Sequence, residues 1–540
     1  MKRILAWPCL VVTGALGLGI GACGGGSGDG SCAYWTEVLK KGAKLEQALN
    51  RVTALKCKEA LPVMTEFFKS GQLQDAVFTA IRGIGDREGS AEILRYALTV
   101  PALAKPAADL VNEWKLKQAK PELLKVMSDP ALASAREVAL PALLGSEGAA
   151  TIEGTLLQAA VADANEQAIT VNALAIDELG KLKSQKAGPV LVKAAFLRTN
   201  KGFEVYRQVR AALAKIGDPK AIDLLLQVLA GTNEELKAYA KSQNNADWET
   251  RDGYKVTQLL VDSLDPRVLG PLLEHLARDL EQPADLDDQA FERWRVAQVN
   301  RLKLVSFAVG HFGDASVVAP LAAILKDEKK DAGNQRMNAA AALAGFGDEA
   351  AQDALIEAWT NDTMEFFKAP LLPIVALGID DRKLAAYDAM LGIIPEGQPK
   401  PKKPIELSAE VQKEIQDNKQ LAAYVQVVRD CKDDAACYAQ KLKSANPDEQ
   451  SKAVLVFARG RFPVTPEIKA ALLDTFKNAA PGSIDAKRYV LMALTRVGDA
   501  SDGEKLGALI PELSGRDALY WKEELTAVSA ALARRAPPNK

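Results

Sequence analysis

The chain has 540 residues, of which 48% are hydrophobic and 6% are aromatic. Its 68 lysine and arginine residues nearly balance 70 aspartate and glutamate residues, so the formal net charge is -2. This balance argues against nucleic acid as a partner, because a phosphate backbone requires a basic protein face. One compact core is also excluded, since single cores stop growing beyond about 250–300 residues.

The first 22 residues are organised like a secretory signal, with a basic start, an apolar stretch from residue 4 to residue 20, and small residues before Cys23. The ending Ile20-Gly21-Ala22-Cys23 resembles bacterial lipoprotein signals, which are cleaved before a cysteine that is then acylated. This resemblance implies removal of residues 1–22 and lipidation of Cys23. With Gly24 rather than aspartate in the next position, it also implies transport to the outer membrane. An uncleaved membrane anchor is the alternative.

Residues 23–31 are rich in glycine and predict a flexible tether behind the acylated cysteine. Export places the four later cysteines in an oxidising compartment. Two antiparallel helices between Cys32 and Cys57 bring these residues together, and Cys431 and Cys437 flank a short polar turn. We therefore predict the disulfides Cys32–Cys57 and Cys431–Cys437. Zinc is the alternative ligand, although the unequal gaps between these cysteines differ from zinc-like spacing.

A short sequence pattern recurs along the chain, in which one apolar helix ends in Gly-Asp and a second apolar helix begins immediately afterwards. Glycine accepts the left-handed conformation that ends the first helix, and aspartate caps the N-terminus of the second. The pattern predicts pairs of antiparallel helices that pack against each other. The clearest copies are Ile216-Gly217-Asp218-Pro219, Phe312-Gly313-Asp314-Ala315, Phe346-Gly347-Asp348-Glu349 and Val497-Gly498-Asp499-Ala500.

Each helix of such a pair carries one apolar face, which a lone pair is unable to bury, so the pairs have to stack on neighbours. In the unit around Gly217 these faces comprise Val205, Val209, Ala212, Leu213 and Ile216, followed by Ile222, Leu225, Leu226 and Leu229.

The Gly-Asp turn followed by an Ala-Ile-x-x-Leu-like helix resembles the HEAT-repeat family, most clearly at residues 216–229 and 312–325. The resemblance implies an all-α fold, a superhelical, armadillo-like α-solenoid of stacked antiparallel helix pairs. We assign residues 32–394 to this solenoid. The tetratricopeptide and ankyrin patterns are absent from the sequence.

Three interruptions, at residues 231–253, 281–290 and 395–404, follow the second helix of a unit. They are therefore expected to project from one edge of the solenoid, where such insertions often build a binding surface. The third is rich in proline and lysine, and we assign residues 395–407 to a linker. Residues 408–540 are predicted to form further helical repeats.

Enzyme motifs are absent from the sequence, and its two histidines, His275 and His311, are interpreted as ordinary helix residues. We predict no catalytic residue, no metal site, no cofactor, no small-molecule substrate, and no pocket in which titratable groups converge. The iron-binding His-Glu pairs of the HEAT-like deoxyhypusine hydroxylases are missing. Bilin lyases share the short repeat, and a HEAT-like enzyme of that kind is a less favoured alternative.

Aromatic and arginine side chains near the first two interruptions are candidate contacts for a protein partner. Aromatic residues at helical spacing also fill local cores, and this alternative stays open. The expected function is that of an envelope lipoprotein that acts as a scaffold or adaptor for another envelope protein or an extended peptide, with the membrane reached only through Cys23. The alternatives are a structural or surface-exposed lipoprotein without a client, and a non-catalytic subunit of a secretion or motility complex. The candidate contact residues are Trp248, Tyr254, Phe291, Trp294 and Arg295.

Overall fold

A computed structural model gives the architecture of the chain. It describes residues 30–162, 165, 168–243, 253–278, 287–330, 332–393, 408–409, 412–413, 417–479, 483–515 and 517–535. These residues form helices and turns and contain no strand, apart from one isolated bridge between Arg198 and Glu204. The fold is therefore an all-α solenoid, as the sequence predicts. Cys23, residues 1–22 and the predicted linker at 395–407 lie outside the described residues.

The chain divides into two compact units between Ser146 and Glu147. In the first unit, Cys32 and Cys57 form a disulfide with their Cα atoms 5.3 Å apart, which joins the start of the first helix to the residues after the second. The helices of this unit are α1 (Cys32–Lys40), α2 (Leu45–Ala54), α3 (Leu61–Lys69), α4 (Gln74–Ile84), α5 (Ala91–Ala97), α6 (Pro101–Trp114), α7 (Lys120–Ser128) and α8 (Arg136–Glu147).

The second unit contains both the longest helix and the C-terminal repeats. Its earlier helices are α9 (Glu153–Ala159), α10 (Ala168–Leu182), α11 (Gly188–Ala194), α12 (Tyr206–Ile216), α13 (Pro219–Leu229), α14 (Glu234–Ser242), α15 (Gly253–Ser263), α16 (Leu269–Ala277), α17 (Asp288–Phe312), α18 (Val318–Lys326), α19 (Met337–Ala344), α20 (Glu349–Asn361), α21 (Glu365–Gly378) and α22 (Leu384–Met390). Its later helices are α23 (Lys419–Cys431), α24 (Ala435–Lys441), α25 (Pro447–Ala458), α26 (Pro466–Asn478), α27 (Ile484–Val497), α28 (Ala500–Leu509) and α29 (Ala518–Leu532). Cys431 and Cys437 form a disulfide between α23 and α24.

The turn between α12 and α13 has the geometry that its sequence predicts. Gly217 is left-handed, with φ 63°, and ends α12. The side chain of Asp218 accepts a hydrogen bond from the backbone N–H of Lys220, and Pro219 is the first helical residue. Val228 is buried in α13, whereas Leu229 is only half-buried. A local capping sequence and two apolar stripes are therefore sufficient to explain this helix pair.

Two of the four clear turns depart from the predicted conformation. Gly347 and Gly498 are not left-handed. At Gly347 a Cβ atom would lie 2.6 Å from the carbonyl oxygen of Arg459, and at Gly498 it would lie 2.3 Å from that of Leu494. Glycine is required at these turns because backbone approaches closely, rather than because φ is positive.

Alternate helices of the second unit pack side by side in a continuous row, which we call the inner row. Its last member, α29, also packs against α12, which packs against α10 as well. A further contact joins α27 to α17 across the row. The C-terminal repeats are therefore packed on the earlier helices of the same unit. The inner row consists of α12, α15, α17, α19, α21, α23, α25, α27 and α29.

Cationic side chains from the C-terminal repeats bind the carbonyl groups at the ends of earlier inner-row helices. Such carbonyls lack partners within their helix, and the negative end of the helix dipole attracts a cation. Five inner-row helices, α12, α15, α17, α19 and α21, receive this cap. The donors and their acceptor residues are Arg534 to Ala214 and Ser263, Arg496 to Gly310 and Gly345, Arg459 to Gly378 and Ile379, and Lys452 to Ala376, Leu377 and Ile379.

None of the helices in the described residues is both long enough and apolar enough to cross a membrane.

Candidate functional site

A cavity of about 950 Å³ lies inside the second unit. Helices α15, α17 and α19 form one wall, and α27 and α29 form the other. Along α17 the lining extends from Glu292 to His311, which corresponds to about 28 Å of helix axis. The cavity is thus an elongated channel between the earlier helices and the C-terminal repeats. It contains several titratable side chains, contrary to the expectation of no such pocket.

Exposure of the lining residues changes along this channel. Glu292 and Val296, within the first three turns of α17, and Tyr520, in the first turn of α29, are exposed. Ser306 and His311, further along α17, are 4% and 5% exposed. The channel is therefore open to solvent near the start of these helices and enclosed near Ser306 and His311, and Lys303, which lies between these two regions of α17, is also exposed.

A buried arginine joins two helices of the channel wall. The Nη2 of Arg210, on α12, donates to Asp262 Oδ1 at 3.0 Å and to Glu524 Oε1 at 2.9 Å. Burial alone would lower the pKa of Arg210, but Asp262 and Glu524 outweigh it and hold the pKa well above the ordinary value. Burial raises the pKa of Glu524 in spite of the arginine. The single positive charge of Arg210 thus compensates two carboxyl groups, those of Asp262 and Glu524.

Three polar atoms face the channel without a hydrogen bond from any residue that the structure describes. They are the second carboxyl oxygen of Glu524, the hydroxyl of Tyr489 and the hydroxyl of Ser306. Burial raises the pKa of Tyr489 well above its ordinary value, so its hydroxyl stays neutral. These groups are available to a bound molecule.

The two histidines lie in different repeats. His311 is at the enclosed end of the channel, where burial and then the positive charge of Arg496 lower its pKa to about 3. His275, on α16, also has its pKa lowered to about 3 by burial and by the nearby Arg301 and Arg278. Both are neutral at physiological pH. The described residues contain no group of three or more His, Cys, Asp or Glu side chains suited to hold a metal ion.

The predicted contact residues on α17 lie beside the channel. The rings of Phe291 and Trp294 stack with their centroids 5.9 Å apart, and both side chains are half-buried. Arg295 is exposed and forms an ion pair with Glu292, whose carboxylate also lines the channel. Tyr254 is the second residue of α15, and Trp248 lies outside the described residues.

The lining residues from the C-terminal repeats were not predicted from the sequence. Arg488, Tyr489, Tyr520 and Glu524 come from helices that meet α15 and α17 only in the folded unit. One signal was present, since Arg210 interrupts the apolar face of α12 next to Val209 and one turn before Leu213. A charged residue on such a face requires a partner from elsewhere in the fold.

Comparison with known families gives two matches. Residues 153–242 match the HEAT repeats model, and residues 335–358 match the PBS lyase HEAT-like repeat model. No curated protein matches the chain. The matched segments contain helices α9 to α14 and α19 to α20, which are parts of one continuous helical array. These matches support the HEAT-repeat family for the two segments, and the helical array around them has the same all-α architecture.

Proposed function

We propose that this chain is an exported, lipid-anchored scaffold that holds a segment of another envelope protein in the channel of its second unit. The observation that carries the proposal is the channel itself, an elongated cavity bordered by exposed apolar and charged side chains in a helical-repeat protein. HEAT repeats form helical scaffolds for protein interaction, and cavities of this size accommodate specific ligands.

The cysteines support the envelope location. All four cysteines in the described part of the chain are paired, as Cys32–Cys57 and Cys431–Cys437. Disulfides persist mainly in exported proteins, because the cytosol keeps thiols reduced. The lipoprotein-like signal that ends at Cys23 supports the anchor, and the Gly24 that follows it supports the outer membrane.

The side chains favour binding over catalysis. Arg210 is committed to Asp262 and Glu524, and His311 is neutral and enclosed. No hydrogen-bonded pair of a nucleophile and a base lines the channel within the described residues, so the proposed role is non-catalytic.

Photocrosslinking in intact cells tests the scaffold. A benzoylphenylalanine at Val296, which is 44% exposed at the open end of the channel, should yield one dominant protein adduct. The same group at Phe203, which is 56% exposed and outside the channel, is the matched control and should yield none. A diffuse set of adducts from both positions would instead favour a structural lipoprotein without a client.

Fractionation tests the anchor. A Cys23→Ser chain should move from the membrane to the soluble fraction of the envelope, because several acyl chains hold a protein at a membrane and a glycine-rich tether does not. Continued retention of Cys23→Ser at the membrane would contradict lipidation at this residue.

A further inference from the structure

Positive side chains are concentrated at the end of the first unit where the chain enters α1. Residues 30–60 contain six lysine and arginine residues but only three glutamate residues, although the whole chain has a formal net charge of -2. All six are exposed, and three of them, Lys41, Lys44 and Lys56, form no ion pair with any residue that the structure describes. This end of the unit is therefore basic. Its positive residues are Lys40, Lys41, Lys44, Arg51, Lys56 and Lys58.

The disulfide between Cys32 and Cys57 brings two of these lysine residues to the start of α1. The Cα atoms of the cysteines are 5.3 Å apart, and Lys56 and Lys58 are the immediate neighbours of Cys57. Leu55 belongs to the same place, since its carbonyl oxygen lies 3.8 Å from Cys32 Sγ. The chain before α1 thus leaves the fold beside two exposed lysine residues.

Two apolar side chains are exposed at this end as well. Tyr34, in the first turn of α1, is 39% exposed, and Leu55 is 41% exposed. Lysine side chains next to an exposed tyrosine and an exposed leucine are typical of protein surfaces that lie at the headgroups of a bilayer, where the apolar groups reach below the charged layer. We call Tyr34, Leu55, Lys56 and Lys58 the N-terminal surface.

We propose that the N-terminal surface docks the first unit on anionic phospholipid headgroups. The proposal rests on the lipid anchor of the proposed function, and it adds a second membrane contact to the acyl chains at Cys23. Cys32 is nine positions after Cys23. A chain of that length spans at most about 30 Å when fully extended and about 16 Å as a flexible glycine-rich coil. An acylated Cys23 therefore holds this surface near the bilayer, where each basic residue strengthens binding to anionic lipids about fivefold.

A polar outer face alone explains this surface less well. The terminal repeat of any solenoid requires a polar outer face, because no neighbour covers it. That requirement does not select positive over negative side chains, and it leaves the exposure of Tyr34 and Leu55 unexplained. Contact with an anionic bilayer accounts for both features and for their position beside the tether, and it sets the orientation of the first unit at the membrane.

A later turn of the first unit provides a matched control. Lys115 has φ 53° and Lys56 has φ 55°, and Lys117 and Lys58 each begin a short 3₁₀ helix. This later turn lies two helix pairs further along the unit, and its apolar residue Leu116 is only 4% exposed. It therefore presents the same two lysine residues without the exposed apolar group and away from the tether.

Vesicle flotation tests the proposal on the full mature chain with Cys23→Ser, which carries no acyl group. We expect vesicles with about one-third phosphatidylglycerol to bind this chain at least about 25-fold more tightly than vesicles of phosphatidylcholine alone, since Lys56 and Lys58 contribute about fivefold each. The preference should disappear in about 1 M salt, where the Debye length is about 3 Å.

Variants of this chain locate the contact. Lys56→Gln combined with Lys58→Gln should reduce the preference to less than about fivefold. Leu55→Asp should weaken binding to the anionic vesicles at least about fivefold, because it replaces an apolar contact with a negative charge. Lys115→Gln combined with Lys117→Gln removes the same charge from the control turn and should bind like the parent chain. Circular dichroism checks that each variant is folded.

Three results of the vesicle experiment would overturn the assignment. These are equal binding to both kinds of vesicle, a preference that survives the Lys56 and Lys58 substitutions, and an equal loss of preference in the Lys115 and Lys117 control. A single protein adduct from benzoylphenylalanine at Leu55 in intact cells, without any vesicle binding, would assign the surface to a protein instead.

The lipid anchor is tested separately, so the two proposals fail independently. Cell membranes washed with about 1 M salt lose the headgroup contact but keep acylated proteins. Retention of Cys23→Ser after that wash would refute lipidation, whereas loss of the vesicle preference alone would refute only the role of the N-terminal surface.

Discussion

At the scale of single residues, the second unit depends on charges buried between helices that are distant in the chain. Arg210 is 5% exposed, and its partner Glu524 is 314 positions away. A buried ion pair adds little net stability over apolar packing, but removal of one member leaves the other charge uncompensated. Arg210 therefore contributes to the stability of the packing of α29 against α12.

Substitution of Arg210 should be far more costly than substitution of its neighbour Arg207. Arg210→Met leaves Asp262 and Glu524 without their cation, and we expect a loss of about 3–5 kcal/mol in the free energy of unfolding. Arg207→Met is the matched control, because that side chain is 60% exposed and its ion pair contributes less than about 1 kcal/mol. Urea unfolding measures both variants, and equal losses would contradict the interpretation.

The buried histidines predict a loss of stability on mild acidification. Their pKa values of about 3 in the folded chain lie below the value of about 6.5 in an unfolded chain. Between these values the unfolded state binds more protons, so stability is complete above about pH 6.5 and falls by roughly 1.4 kcal/mol per pH unit for each histidine as the pH decreases.

Urea unfolding between about pH 6.5 and pH 5 isolates this effect from that of the carboxyl groups, which titrate mainly at lower pH. Replacement of His311 by glutamine should remove the contribution of this residue to the pH dependence of the free energy of unfolding. In a chain that also carries His275→Gln, the free energy of unfolding should be nearly independent of pH in this range. An unchanged slope in the double variant would show that other groups control stability in this range.

At the scale of the element, the Gly-Asp turns show how much of the helix geometry a local sequence pattern predicts. Asp218, Asp314 and Asp499 cap the following helices as predicted. Asp348 makes no such side-chain hydrogen bond, although its helix still begins at the next residue. A capping residue supplies about 1 kcal/mol, and packing of the apolar face is enough to form a helix without it.

Gly217 should be less tolerant of alanine than Gly231. Both glycines are left-handed, with φ 63° and 71°, so alanine strains each turn by roughly 1 kcal/mol. A Cβ atom at Gly217 would also lie 2.8 Å from the side chain of Arg534, whereas nothing lies within 4 Å at Gly231. Thermal unfolding of Gly217→Ala and Gly231→Ala compares these costs, and a greater loss in Gly231→Ala would contradict the role of Arg534.

At the scale of the whole second unit, arginine caps attach the C-terminal repeats to the earlier helices. Arg496 Nε donates to the carbonyl oxygen of Gly310 at 3.0 Å, and Nη2 donates to that of Gly345 at 2.9 Å. One side chain therefore caps the C-termini of both α17 and α19. Burial lowers the pKa of Arg496 to about 10, which still leaves the side chain charged at neutral pH. The position of the channel wall therefore depends on these contacts.

Loss of the caps should loosen this packing without unfolding the repeats. In a chain that carries Arg496→Met and Arg534→Met, we expect hydrogen exchange to accelerate about tenfold or more at the ends of α12 and α17. The change should not extend to the first unit. Arg267→Met, which removes half-exposed ion pairs with Asp223 and Asp265, is the control and should leave exchange unchanged. Equal exchange in all three chains would show that apolar packing alone holds the unit.

The sequence by itself determined the all-α class, the helix pairs and the places where most of them turn. These features depend on interactions between residues a few positions apart, such as the cap of Asp218 and the apolar stripes beside it. Only the tertiary structure decided that α29 packs on α12, that α27 crosses to α17, and that Glu524 and Tyr489 face the same channel as Ser306. A repeat unit presents similar apolar faces to every neighbour, so its sequence does not specify which distant helix it will meet; complementary packing and a few buried charges make that choice.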